Sequence, residues 1–163
     1  MNVAERTHAN APAEAAAWLE RFAKALAAND AQAAATLFID NGLWRDILAF
    51  TWTIETMSGR AAIAARLGET APRTQAVNFS IPPSRTPPRW VMRAGTQCIE
   101  ALVAFETKLG RCNGVLRLVP DANALRAWTL ITTMEELKGH EEGFKRRSAD
   151  DDPVGDFAVR CAA

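Results

Sequence analysis

The sequence predicts an α+β domain, with helices in its first half and an antiparallel meander in its second. Three observations carry this. Apolar residues recur at helical spacing from Ala15 to Leu26. The spacing changes to two residues near Leu43. Beyond Arg73 every apolar run is short, strand-like and bounded by turn residues, and helices followed by strands form the α+β pattern.

The elements follow in order. Asn10 and Pro12 suit a helix start, and Ala15, Trp18, Leu19, Phe22, Ala23 and Leu26 share one face, giving a helix over about 12–28. Asn29-Asp30 interrupts, and Asp30 caps a short helix over 31–38. Asp40-Asn41-Gly42 turns, and Leu43 to Ala49 alternates as a strand. Thr53 to Met57 is a second short strand. Ser58 caps a helix over 60–67 that Gly68 stops. Arg73 to Ile81 is a strand candidate. Pro82-Pro83 and Pro87-Pro88 bracket a loop, because proline cannot donate to a sheet ladder. Arg89 to Ala94, Gln97 to Lys108, Arg111 to Val119 and Ala124 to Met134 complete the meander.

A two-residue turn at Leu109-Gly110 places Phe105 opposite Gly114, Val103 opposite Leu116 and Ala101 opposite Leu118. That face is wholly apolar, and Leu125, Ala127, Thr129 and Ile131 extend it. The other face mixes Glu100, Leu102, Glu106, Asn113 and Arg117 with Arg126, Trp128 and Leu130. Large apolar residues amid charges mark a partner surface, so we expect a homodimer through Leu102, Trp128 and Leu130.

Composition bounds the chemistry. At 163 residues the chain holds one domain with a real core, which we place at 12–138 between a flexible start (1–11) and a charged tail or linker (139–163). Lys and Arg (19) balance Asp and Glu (19), so nothing in the charge favours nucleic acid or an anionic membrane. No apolar run is long enough to span a bilayer, and Met1 to Asn10 lacks the layout of a signal peptide. Cys98, Cys112 and Cys161 are an odd number without metal-type spacing; we expect a reduced, cytoplasmic setting and no metal or cofactor. The tail sets Lys145-Arg146-Arg147 beside Asp150-Asp151-Asp152, a pattern of solvated linker.

The chain has no tyrosine, and His8 and His140 lie near its ends, so Ser-His-Asp and Cys-His arrangements are not expected. No glycines form a phosphate loop or a dinucleotide fingerprint. Acid–base work would fall to carboxylates. Asp46 stands out, because the alternation puts it on one strand face with Trp44 and Leu48. A carboxylate there must be paired, hydrated or functional. Candidate structural partners are Arg60, Arg93 and the indoles of Trp44, Trp52 and Trp128.

With these residues in hand, the chain resembles the nuclear transport factor 2-like superfamily, which includes ketosteroid isomerase and SnoaL-type polyketide cyclases. The likeness covers about residues 12–137 and rests on the two first helices, Leu37-Phe38-Ile39-Asp40-Asn41-Gly42, Trp44-Arg45-Asp46, Ser58-Gly59-Arg60-Ala61-Ala62-Ile63 and the meander. It implies a cone, with three helices over the concave face of a curved antiparallel sheet and a pocket inside. Trp18, Phe22, Trp44, Ile99, Val103, Phe105, Gly114, Leu116, Ala127, Thr129 and Ile131 would line that pocket, with Asp46 as its main polar group. The resemblance also puts the isomerase base position on Asp46, the oxyanion tyrosine position on Phe22 and the oxyanion aspartate position on Gly114. Both donors are thus absent, and losing even one oxyanion donor costs roughly a hundred- to a thousandfold in rate. Ketosteroid isomerisation is not expected.

Further strings are similar to the N-terminal extension of some bacterial flavin-containing monooxygenases: Leu48-Ala49-Phe50-Thr51-Trp52, Phe105-Glu106-Thr107 with Gly110-Arg111, Gly114 through Asp121, Arg126 through Leu130, and Glu136-Leu137-Lys138-Gly139. This likeness implies an accessory module or a free-standing relative, with a flavin monooxygenase as a partner. Three function classes follow. The first is a binding domain for a small apolar molecule carrying a hydroxyl or amine. The second is an isomerase, cyclase or dehydratase using Asp46 as catalytic base. The third is a dimerisation scaffold with a filled pocket.

Overall fold

The computed structural model describes residues 10–140. Residues 1–9 of the expected flexible start and 141–163 of the expected tail lie outside the described residues.

Helix α1 spans Ala11–Ala27, its first turn capped by the Asn10 side chain, which accepts from the Ala13 N–H at 3.4 Å. It buries Ala15, Trp18, Leu19, Phe22 and Leu26, the stripe the periodicity marks. Helix α2, Ala31–Thr36, is capped by Asp30, which accepts from Ala33 N–H at 2.8 Å. Strand β1 (Phe38–Ile47) follows, then β2 (Ile54–Ser58), helix α3 (Arg60–Thr74), β3 (Val77–Ser80), β4 (Arg89–Arg93), β5 (Thr96–Glu106), β6 (Gly110–Asp121) and β7 (Ala124–Leu137).

The strands form one curved, unclosed sheet in the order β2-β1-β7-β6-β5-β3, with β4 also on β5. The α+β architecture is as the sequence predicts. One pairing differs from a purely antiparallel sheet: β1 runs parallel to β7, while every other pairing is antiparallel. Among the described residues two helices precede β1, and α3 with four strands separates β2 from β7, so β1 meets β7 with no tight turn to force an antiparallel pair.

Local departures have identifiable causes. Phe38 belongs to β1 rather than to a helix, and Asp40-Asn41-Gly42 is an irregularity inside that strand. There a Cβ on Gly42 would sit 3.0 Å from the Ile39 carbonyl oxygen and the Phe38 Cβ, a tight fit that a larger residue could take only if these neighbours shifted. Helix α3 passes through Gly68 to Thr74, because Leu67, Thr70 and Ala71 continue its buried face, and it ends at Gln75 in the left-handed region (φ 51°). The strand expected from Arg73 is therefore only Val77–Ser80.

Two register changes matter more. The β5–β6 connection is a turn over Thr107–Gly110 in which the Thr107 hydroxyl lies 3.0 Å from the Gly110 N–H, so Phe105 faces Cys112, Val103 faces Gly114 and Ala101 faces Leu116. The apolar face survives because the slip is an even number of residues. In β7 a bulge at Trp128 breaks the alternation: Leu118 pairs with Ala127, but Leu116 pairs with Leu130. Leu130 and Thr132 therefore point inward and are 2% and 1% exposed. Thr129 and Ile131, expected inside, lie on the outer face, and Leu130 leaves the expected partner surface.

Candidate functional site

The interior is built from aromatic side chains. Trp18 stacks on Phe22 (ring centroids 5.0 Å), Phe22 meets Phe79 edge-on (5.9 Å), and Phe79 stacks on Phe105 (4.9 Å). Phe105 contacts Phe50 (5.7 Å), and Phe50 meets Trp44 edge-on (5.3 Å). Phe38 closes the file against Trp18 at 5.8 Å. Of the residues expected to line a pocket, Trp18, Phe22, Trp44, Ile99, Val103, Phe105, Leu116 and Ala127 are all buried, at 3% exposure or less. Gly114 sits among them. A Cβ there would lie 2.5 Å from the Ile131 carbonyl oxygen and 2.9 Å from Val103 Cγ2, so the backbones leave no room for a side chain. Thr129 and Ile131 stand apart from this set.

Asp46 is fully buried on the inner face of β1. Its Oδ2 accepts from the backbone N–H groups of Phe50 (3.0 Å) and Thr51 (2.9 Å) and lies 2.9 Å from the Thr51 hydroxyl. Its Oδ1 accepts from the Thr132 hydroxyl at 2.5 Å, within the range of a charge-assisted O–H···O bond. Thr132 in turn accepts from Trp44 Nε1 at 2.9 Å. Among the described residues no cation lies within ion-pair distance of Asp46. Arg60 binds Asp40 and the Phe38 carbonyl, and Arg93 binds Glu100. The Trp44 indole reaches Asp46 through Thr132.

The carboxylate therefore organises the connection from β1 to β2. Leu48 and Trp52 there adopt positive φ (67° and 60°), unusual for large residues, and Leu48 N–H donates to the Thr53 carbonyl at 3.1 Å. The loop tucks Phe50 inward (3% exposed) and leaves Trp52 at the surface (52% exposed). Sequence reasoning missed Thr132 because the bulge at Trp128 reverses the face on which that residue would be read.

Two clefts flank this core at opposite ends of the sheet. One, of about 380 Å³, is lined by Ala49, Phe50, Thr51, Trp52, Arg73, Thr74, Thr107, Lys108, Leu109 and Met134. Phe50 lines it and packs on its other side against Trp44 and Phe105, which do not line it. The other, of about 530 Å³, is lined by Ile39, Trp90, Thr96, Gln97, Val119, Pro120 and Trp128. Both fall in the size range of small-molecule sites. Asp46 lines neither, though its two loop partners, Phe50 and Thr51, line the first.

The remaining chemistry is limited. Burial pushes the Cys112 thiol up to about 12, with a further contribution from the Asp46 charge, and burial also raises Cys98. Neither thiol is poised as a thiolate nucleophile. Among the described residues no group of three or more His, Cys, Asp or Glu side chains could hold a metal ion. No helix among them is long and apolar enough to cross a membrane.

No protein-family model matches the chain, and no curated protein sequence matches it. Solved structures do. An NTF2-like protein with a cystatin-like fold from Novosphingobium aromaticivorans is 16% identical with a TM-score of 0.57, over 82% of this chain and 87% of that one. ActVI-ORFA from Streptomyces coelicolor is 17% identical with a TM-score of 0.52, over 76% of this chain and 96% of that one. A protein described as a putative aromatic ring hydroxylase, also from N. aromaticivorans, is 12% identical with a TM-score of 0.54, over 78% of this chain and 91% of that one. At such identities the likeness establishes the fold alone, and it agrees with the curved sheet and helices above: the chain has the nuclear transport factor 2-like, cystatin-like fold.

Proposed function

We propose that this chain is a small-apolar-ligand-binding domain of the SnoaL-like type, taking its ligand in the cleft above Phe50. The observation that carries this is the cleft's construction: Ala49, Phe50 and Trp52, on a loop that Asp46 holds in place, join Leu109 and Met134 in an apolar wall around about 380 Å³. The inner residues expected to line a pocket then serve as the rigid backing of the site. Asp46 acts as a positioning residue. Use of Asp46 as the base of an isomerase, cyclase or dehydratase would first require breaking hydrogen bonds to both of its oxygens, and this weighs against that alternative.

The binding reading is tested by calorimetric titration with two naphthalene probes, 1-naphthoate and 1-naphthamide, on the wild-type protein and on Trp52→Ala. Saturable binding of either probe that weakens on removing Trp52, at unchanged melting temperature, supports the reading. Absence of binding of both at millimolar concentration removes it.

A scaffold reading is favoured by the filled interior, with ring centroids 4.9 to 5.9 Å apart along the file from Trp18 to Trp44. The corrected outer face carries Leu102, Val115, Trp128 and Ile131, and cross-strand pairing sets Leu102 beside Val115 and Val115 beside Ile131. A homodimer through this face fits both readings, and Val115→Glu should yield monomer by light scattering. The accessory role beside a flavin-dependent monooxygenase rests on the sequence resemblance. It predicts measurable association of the purified chain with such an enzyme from the same organism.

A further inference from the structure

We propose that the cleft above Phe50 recognises an apolar or aromatic carboxylate, with the acid group bound by Arg73 and Lys108. This rests on the binding reading above and deepens it by naming the ligand class. It also reverses the polarity expected from the sequence, where Asp46 as acceptor favoured a ligand with a hydroxyl or amine.

The reversal follows from which polar groups are free. Both oxygens of Asp46 are occupied, and the residue does not line the cleft. The hydroxyls on the cleft wall are committed to the protein. Thr51 lies against Asp46 at 2.9 Å, Thr74 donates to the Thr70 carbonyl at 2.8 Å, and Thr107 caps its own turn by accepting from Gly110 N–H at 3.0 Å. Arg73 and Lys108 remain: the Arg73 Nε donates to the Glu69 carbonyl at 3.1 Å, which leaves the two terminal nitrogens of its guanidinium for a ligand. They come from the end of α3 and from the β5–β6 loop, and the Lys108 N–H donates to the Thr74 carbonyl at 2.9 Å, which ties the two segments together.

The neighbouring acids are neutralised by other cations. Glu69, one turn before Arg73, pairs with Arg66 at 2.7 Å; Glu106, two residues before Lys108, pairs with Lys138 at 2.8 Å. Among the described residues no carboxylate lies within ion-pair distance of Arg73 or Lys108. Two uncompensated cations at the edge of an apolar wall complement a molecule with an apolar body and an anionic end, and a guanidinium forks naturally onto a carboxylate.

The matched probes separate the charge from the apolar body, because 1-naphthoate and 1-naphthamide have the same ring and nearly the same shape. We expect naphthoate to bind about tenfold more tightly, the sum of two exposed charge contacts. The double variant Arg73→Gln, Lys108→Gln should abolish that preference and leave naphthamide binding unchanged. Both side chains are exposed, so its melting temperature should match wild type, and Lys108→Arg should keep the preference. Equal binding of acid and amide, still dependent on Trp52, overturns the carboxylate assignment and leaves the cleft as a site. A preference for the acid that survives in the double variant also overturns it, by locating the recognition elsewhere. Failure of both probes removes the assignment together with the binding reading.

Discussion

Two carboxylates on opposite faces of one sheet are held in different ways. Asp46, on the inner face, is fully buried and is satisfied by hydroxyls and backbone N–H groups. Glu100, on the outer face of β5, has a side chain 13% exposed and lies between Arg93 (2.6 Å) and Arg117 (3.0 Å). Hydrogen bonding from Arg93, then from Arg117, outweighs desolvation and holds the Glu100 carboxyl down at about 2. Directional donors from a loop make Asp46 a determinant of backbone shape, and through it of the cleft. Arginines on adjacent strands make Glu100 a cross-strand tie that leaves the backbone as it is and responds to pH.

Removing the charge of Asp46 should have the greatest consequence for stability. Asp46→Asn puts an amide N–H₂ against groups that are themselves donors, stranding either Thr132 or the Phe50 and Thr51 N–H groups. A loss of about 3–5 kcal/mol is expected in denaturant unfolding, because several buried donors lose their acceptor. A loss under about 1 kcal/mol would mean that the loop does not depend on this carboxylate.

Thr132→Val removes one hydroxyl from this network at nearly constant shape. It leaves Trp44 Nε1 and one Asp46 oxygen unpaired, and about 2 kcal/mol should be lost. Tryptophan emission should change with it, since Trp44 is buried and donates to Thr132.

The smallest effect is on the outer face. Glu100→Gln should cost about 1 kcal/mol at neutral pH, because the two arginines it pairs with stay partly solvated, at 41% and 27% exposure. The sign of its pH dependence is fixed by the lowered carboxyl. The folded state holds Glu100 near 2, below its ordinary value of 4.5, so the stabilisation is complete above 4.5 and disappears as pH falls toward 2. Unfolding curves of wild type and Glu100→Gln should converge across that window. Curves that stay parallel down to pH 2 would show that the arginines do not stabilise the charged form.

The contrast between these two residues shows what could be read from the chain. Glu100 on a mixed face beside Arg117 follows from strand alternation, because β5 and β6 keep a two-residue period through that region. The inward placement of Asp46 with Trp44 was equally legible. Its partners were not. Thr132 lies beyond the bulge at Trp128, which has no glycine or proline to announce it, so alternation carried past that point assigned Thr129, Leu130 and Ile131 to the wrong faces. The other donors belong to a loop in which Leu48 and Trp52 take positive φ, a conformation their side chains do not favour and that only the packed surroundings impose.

The order of helices and strands, the caps at Asn10 and Asp30, and the apolar faces of α1, β5 and β6 are legible in the chain itself. All of these follow from local periodicity and hydrogen bonding within a few residues. Packing in three dimensions sets the parallel pairing of β1 with β7, the four-residue turn at Thr107–Gly110 and the aromatic file that fills the interior. It also sets the meeting of Arg73 and Lys108 at one cleft. Each of these depends on contacts between segments far apart in the chain, where the energy of packing outweighs local preference.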